Sequence, residues 1–464
     1  MVDKMDLMSN EKILSYKYYI STQQKYSTMK CAIQLAPAII LFITMAKATP
    51  EWPEWRGPGG LGHSEARNLP STWSETKNVT WKTSIPGQGH STPVINGNKI
   101  WFTSAFETPE DPKRVKERLK SNTGGQPLNI LASVKLHAIC VDRKTGRILH
   151  NLPLLEVKEP QWVHKLNSYA SPTPVIEDDR LYCHFGAFGT ACIETGSGKV
   201  LWRNQDLKIM HENGPGSSPV VYQNNIILHM DGSDKQYVTA LDKRTGKVAW
   251  KTKRSGTTHS NPQLKKAYGT PLLVDMNGRP TIVSTGANWL YGYDPSNGRE
   301  LWKLSYGLLG FSNVSRPVAG NGTLYFSTCF MKGNLLAVKY EGLTKPEIQW
   351  SFTKGAPKMP SPILVGNELY YVTDNGIANC LDAGTGKPVW RERVGGEYSA
   401  SPIHADGKLY FPSQYGTTLV LKPGRKFTII AENKLDGRHM ASIAVAGDTL
   451  FIRTDKALYR IEGS

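Results

Sequence analysis

Cysteine is scarce in this 464-residue chain: six in all, none adjacent and none spaced as C-x-x-C. That excludes a zinc ribbon and a disulfide-dense scaffold. Acidic residues are in the minority, 39 Asp/Glu against 56 Lys/Arg, for a net charge of +17. No apolar run beyond residue 48 is long enough to span a bilayer, and no helical periodicity persists after residue 135. The motifs G-x-S-x-G and H-E-x-x-H are absent, and no convincing Ser/His/Asp set is present. GQG at 87–89 and GPG at 214–216 do not lie between a strand and a helix, which excludes a phosphate cradle. What the chain does have is turn-forming residues, 43 Gly and 29 Pro, and short apolar stretches between them. The body reads as all-β.

The N-terminus carries a separate signal. Met29-Lys30 leads into CAIQLAPAIILFITMAKATP, which passes Ala46-Lys47-Ala48. A basic start, an apolar middle and an A-x-A end make an export signal. We expect a signal region over 1–48 with the true start at Met29 and cleavage after Ala48. A leader over 49–77 and a folded body over 78–464 follow. An uncleaved anchor is the alternative. With no Leu-x-x-Cys at the cleavage site, a soluble periplasmic or secreted protein is expected. Six Lys/Arg and three Asp/Glu fall within 1–48, which leaves a net of +14. These cations are scattered through turns, as on a solvated surface, and do not point to nucleic acid. Cys140, Cys183, Cys192, Cys329 and Cys380 remain, an odd number, and read as small packed side chains.

The stretch LDKRTGKVAW at 241–250 recurs. CVDRKTGRILH lies at 140–150, CIETGSGKVLW at 192–202, GYDPSNGRELW at 292–302 and CLDAGTGKPVW at 380–390. Each is a strand, a turn whose glycine (Gly146, Gly198, Gly246, Gly298, Gly386) supplies a positive φ, and a second strand with a tryptophan. Trp202, Trp250, Trp302, Trp350 and Trp390 recur; His150 replaces the indole in the first copy. Cys140, Cys192 and Cys380 share one slot with Ala240, Gly292 and Ala337, so that slot calls for a small side chain. A hairpin precedes each copy. Aligned on Pro93, Pro174, Pro219, Pro271, Pro317, Pro362, Pro402 and Ser442, the steps are 81, 45, 52, 46, 45, 40 and 40 residues. A period of 40–50 with four strands is a propeller blade, and eight hairpins predict eight blades. The last blade, 439–463, lacks an outer strand; NVTWKTSI at 78–85, with Trp81, is expected to supply it and close the ring. The long first step holds an insertion at about 106–134. Its DPKRVKERLKSN segment predicts a short helix placed to cover part of the central funnel.

The pattern L-D-x-x-T-G-K-x-x-W resembles the tryptophan-docking repeat of the quinoprotein family, eight-bladed propellers associated with pyrroloquinoline quinone (PQQ). The resemblance covers nearly all of 78–463. The leader WPEWRGPGGLGHS looks like the opening of exported PQQ-repeat-like propellers of environmental bacteria. The same repeat occurs in a non-enzymatic propeller lipoprotein of the outer-membrane assembly machinery. The family's dehydrogenases hold PQQ over calcium, beside an adjacent-cysteine disulfide and with an aspartate base. This chain has no Cys-Cys pair and is short for such an enzyme. No catalytic or calcium residue carries over; PQQ and calcium are implied by resemblance only.

Ligands of propellers bind where the loops between successive blades (D–A) and the B–C loops share one face. Those loops carry His90, His164, Tyr169, His211, His259, Trp289, Arg316, Tyr398 and His439 as candidate ligand-binding residues. Converging imidazoles would suit a metal or titrate near neutrality, with Asp231, Asp234 and Asp374 as added oxygen donors. Loop histidines bonded to backbone, and turn aspartates, are the plainer reading. The expected function is a non-catalytic monomeric scaffold that binds a protein or polymer on its loop face. The alternatives are an oxidoreductase using PQQ or another redox cofactor, and a binder of anionic polysaccharide.

Overall fold

The computed structural model describes residues 51–464, apart from 123, 309, 331, 332 and 464; the expected signal region lies outside the described residues. Among these, eight four-stranded antiparallel blades form the propeller expected from the repeat. The blade over Val220–Tyr222, Asn225–Asp231, Gln236–Asp242 and Val248–Lys253 is representative. Its second and third strands are almost wholly buried, while the outermost alternates half-buried with exposed residues. That gradient is what a blade stacked on both faces and open at its rim requires. The ring closes as expected: Val79–Ser84 pairs antiparallel with Ala457–Glu462, and Trp81 lies opposite Arg460. Closure leaves no free sheet edge at the seam.

The register explains the small-residue slot. Cys192 faces Trp202, Ala240 faces Trp250, Gly292 faces Trp302, Ala337 faces Trp350 and Cys380 faces Trp390. In the first blade Cys140 faces His150, whose ring stacks on Trp101. Directly opposed cross-strand side chains are close enough to compete for space, so an indole demands a small partner. The seventh blade has no tryptophan, and there the slot is filled by Val420 opposite Ala431. All five cysteines among the described residues are buried and unpaired.

Each indole then reaches the next blade. A Cβ on Gly246 would lie 2.4 Å from the Trp202 ring, and one on Gly298 2.3 Å from Trp250. Gly386 meets Trp350 and Gly146 meets Trp81 in the same way. Trp81, Trp202, Trp350 and Trp390 donate their indole N–H to backbone carbonyls of the following blade. The first blade, with His150, sets Leu152 and the imidazole against Gly198 instead. Trp302 has no TGK turn to meet in the fifth blade and folds over its own Gly292. Gly246→Ala is therefore expected to destabilise by more than the left-handed conformation alone, which costs an L-residue roughly 1–2 kcal/mol. Gly342→Ala, with φ of 71° but nothing within 4 Å of the new methyl, should show that conformational cost only. Equal shifts of the urea midpoints would refute the contact.

A second interblade device lies near the axis. The backbone N–H of Thr92 donates to Thr173 Oγ1 (2.9 Å), that of Thr173 to Ser218 Oγ (3.0 Å) and that of Ser218 to Thr270 Oγ1 (2.9 Å). The run resumes from Arg316 to Ser361 (3.0 Å), Ser361 to Ser401 (2.9 Å) and Ser401 to Ser442 (3.1 Å). Each of these residues but Ser442 precedes a proline. Ser442 therefore matches Ser401, not Pro402, and the last step of the sequence alignment is one residue too short. Arg316 interrupts the hydroxyl series.

The leader occupies the axis. Trp52 exchanges both backbone hydrogen bonds with Ile95 of the first blade, and Pro53 O accepts from Ile176 N of the second. Across the axis, Arg316 donates to Pro271 O, Trp55 O and the Glu54 carboxylate at 2.9–3.0 Å. Arg56 donates to Pro362 O, and His63–Ser64 runs parallel to His404–Ala405 as a fifth strand of the seventh blade. Trp52 and Arg56 are fully buried. The glycines of RGPGGLG make so narrow a passage possible: a Cβ on Gly60 would lie 1.8 Å from Arg316 Nη1, and one on Gly57 2.6 Å from the Trp52 ring. Beyond the axis, Trp73 stacks on Tyr410 and packs in the core shared by the seventh and eighth blades.

Candidate functional site

The D–A and B–C loops surround a funnel of about 420 Å³ to which all eight blades contribute. Its wall follows a rule. Two residues before each hydroxyl-ring position stand His90, Ser171, Gly216, Tyr268, Val314, Met359, Ser399 and Met440, and all eight line the cavity. Alternate residues of an extended chain share a side, so a wall residue lies two steps from a floor residue. Thr92, Thr173, Ser218, Ser401 and Ser442 form the floor, with Trp55 of the leader in its centre. The Trp55 indole N–H points to Ser442 Oγ at 3.4 Å.

This parity separates the sequence candidates. His90 and His164 line the funnel; the other seven do not. Tyr398 and His439 sit three residues before the floor position, on the opposite side of the chain, and are buried between blades. Tyr169 is fully buried against Phe188. His211 lies in the core, its Nε2 accepting from Ala187 N at 2.9 Å. His259 caps its own loop, Nδ1 accepting from Asn261 N. Trp289 is tied to Thr257 O by its indole N–H, and Arg316 holds the leader. Both funnel histidines are shifted below the ordinary imidazole range. Burial, then the charges of Arg453 and Arg438, push His90 down to about 3, and burial lowers His164, whose Nδ1 accepts from Leu166 N.

The insertion does not cover the funnel. Its helix, Pro112–Leu119, begins as expected, with Asp111 Oδ1 accepting from Lys113 N and Arg114 N. Arg118 then bonds Leu131 O and Pro160 O, and Leu128–Asn129 pairs with Val163–His164. No described residue between 106 and 134 lines the cavity. The charged helix stays at the flank and braces the 159–171 loop.

The acidic candidates are already engaged. Asp374, the only carboxylate among the described residues of the funnel lining, accepts from Lys358 N (2.8 Å) and Met359 N (3.1 Å). Asp234 accepts from Met210 N. Asp231 is paired with Arg254 at 3.0 Å in a sealed cluster that also holds His229 and Ser284. That cluster brings Ser, His and Asp together, yet Arg254 bonds all three and burial holds His229 down to about 4 despite Asp231 beside it. It is a structural network. Calcium needs six to eight oxygens, and one carboxylate committed to backbone N–H groups does not fit calcium-held PQQ. Among the described residues no group of three or more His, Cys, Asp or Glu is arranged to hold a metal.

What dominates the mouth instead is apolar surface that sequence reasoning did not single out. Phe330 is 51% exposed and Leu166 43%, and Val314, Met359 and Met440 line the same cavity. The readable signal was their place, two residues before a ring position for Val314, Met359 and Met440, in a B–C loop for Phe330 and in a D–A loop for Leu166, not their chemistry.

Comparisons with known proteins agree with this architecture. The chain aligns with tetrathionate hydrolase of Acidithiobacillus ferrooxidans at 20% identity over 361 residues, 74% of this chain and 66% of that one. It aligns with outer membrane protein assembly factor BamB of Shewanella oneidensis at 20% identity over 241 residues, 48% of this chain and 57% of that one. The chain thus spans between half and two thirds of these relatives. The crystal structure of BamB from Moraxella catarrhalis superposes with a TM-score of 0.52 at 13% identity, covering 73% of this chain and 98% of that one. A PQQ-repeat family model described as outer membrane protein assembly factor BamB matches residues 135–378 and 344–440, and to that family this chain belongs.

Proposed function

We propose that this protein is an exported, periplasmic, non-catalytic propeller that holds a protein partner over its funnel, as a component of outer-membrane protein assembly. The observation that carries the reading is the exposed apolar mouth, Phe330 and Leu166 with Met359 and Met440 in the same lining, over a floor where four of the five hydroxyls already accept from a neighbouring blade. Exposed apolar surface rimmed by polar loops marks interaction sites. Lys358, its ammonium 5.5 Å from the Phe330 ring centre, favours a segment that carries acidic as well as apolar side chains. Phe330→Asp and Leu166→Asp are each expected to weaken co-sedimentation with the purified assembly complex at least tenfold, the size of an interface hot spot. Neither residue is buried, so folding should be unaffected. Undiminished binding by both variants would refute the funnel as the docking face.

The alignment with tetrathionate hydrolase over most of the chain supports a second reading, an enzyme. Turnover of tetrathionate, or absorbance changes on adding PQQ with calcium, would establish it. Salt-sensitive retention on a uronic acid polymer would instead favour the polysaccharide reading.

A further inference from the structure

Where the leader crosses the axis, two guanidinium groups come within electrostatic range of each other, and the one carboxylate bonded to either of them is on Arg316. Arg316 spends its donors on Pro271 O, Trp55 O and Glu54. Arg56 is fully buried, yet only its Nη2 is bonded, to Leu61 O (3.1 Å) and Pro362 O (2.9 Å). Its Nε and Nη1 are buried with no acceptor. Burial and then the Arg316 charge push Arg56 down to about 9, which still leaves it cationic at neutral pH. His63 lies beside Arg56 and is held neutral down to about 4 by burial, His404 and Arg56, and Glu65, the carboxylate that acts on His404, is exposed. His63 and His404 approach to 3.3 Å between their Nδ1 atoms.

A buried cation without a counter-charge is strongly unfavourable, and buried guanidinium groups are normally paired. The cluster carries two positive charges and one negative. The space around it is narrow: a Cβ on Gly62 would lie 2.7 Å from Arg56 Nη2, and one on Gly60 1.8 Å from Arg316 Nη1. We propose that a small monovalent anion of the halide class, chloride in the cell, binds Arg56 Nε and Nη1 in the central channel and completes the latch between leader and ring. A divalent oxyanion would leave the cluster with a net negative charge.

An anion that binds only the folded state stabilises it in a concentration-dependent, saturable manner. Thermal unfolding of the full protein is to be followed with sodium chloride replaced by sodium gluconate at constant ionic strength. The Tm is expected to rise with chloride and level off, and Arg56→Gln is expected to lose that dependence. Because Arg56→Gln could fail to fold, the native protein is also to be crystallised in bromide and anomalous data collected at the bromine edge. A bromide peak against Arg56 Nε and Nη1 supports the proposal. Ordinary water density there, with the same Tm in both salts, overturns it.

Discussion

Arg316→Ser is expected to free the leader while leaving the ring closed. Serine supplies the hydroxyl that all seven other blades carry at this position, so Thr270 N gains the acceptor that the series lacks. The three bonds from the guanidinium to Pro271 O, Trp55 O and Glu54 are lost. Hydrogen bonds to charged groups are worth about 1.5–3 kcal/mol each, and relief of the repulsion on Arg56 offsets part of the loss. A net destabilisation of about 3 kcal/mol is expected from denaturant titration. The sharper readout is proteolysis. Arg56 is fully buried, so trypsin should spare the bond after it in the native protein and cut it in the variant. Trp52→Ala attacks the same latch from the first blade. Emptying a fully buried indole site costs about 3–5 kcal/mol and should expose the same bond. If neither substitution opens Arg56 to trypsin, the leader is not held as described.

The second large effect is acid instability. His184, His211, His229 and His439 are at most 4% exposed. Burial leads the causes in every case and lowers them to about 3, 3, 4 and 4. In the unfolded chain they titrate near 6.5. Above that pH both states are neutral and these groups leave stability unchanged. As pH falls from 6.5 toward 4, the unfolded chain takes up protons that the folded protein refuses, and stability declines by about 1.4 kcal/mol per histidine per pH unit. At pH 5 each contributes a loss of about 2 kcal/mol, and the four together a loss on the order of 8 kcal/mol, comparable to the whole stability of many domains. Through these four groups alone, unfolding at pH 5.5 should take up close to four protons, with His63 and His90 adding to that number, and the Tm should drop steeply below pH 6.5. His211→Gln keeps an acceptor for Ala187 N and should flatten that slope. A Tm that is level between pH 7 and pH 5 would show that these imidazoles are charged inside the fold.

Much of the architecture was legible because it is local and repeated. The glycine turn, the tryptophan and the small slot lie within ten residues of one another, and five copies state the same geometric requirement. Eight hairpins counted eight blades, and the missing outer strand identified Val79–Ser84 as its supplier. Candidate site residues were legible only to the level of the loop. Whether a loop side chain enters the funnel depends on its parity relative to the strand that follows, and the alignment of Pro402 with Ser442 had already lost that parity by one residue. His439 and Tyr398 were assigned to the funnel and lie between blades for that reason.

By itself, then, the amino-acid order settled the all-β repeat, the number of blades and the way the circle closes, since each rests on contacts between near neighbours or on a count. Tertiary structure alone decided that WPEWRGPGG fills the axis, that Arg316 holds the leader, and that Phe330 and Leu166 form the mouth. Those outcomes join residues more than two hundred positions apart in several cases, and charge, burial and free volume at such meetings exist only once the ring has formed.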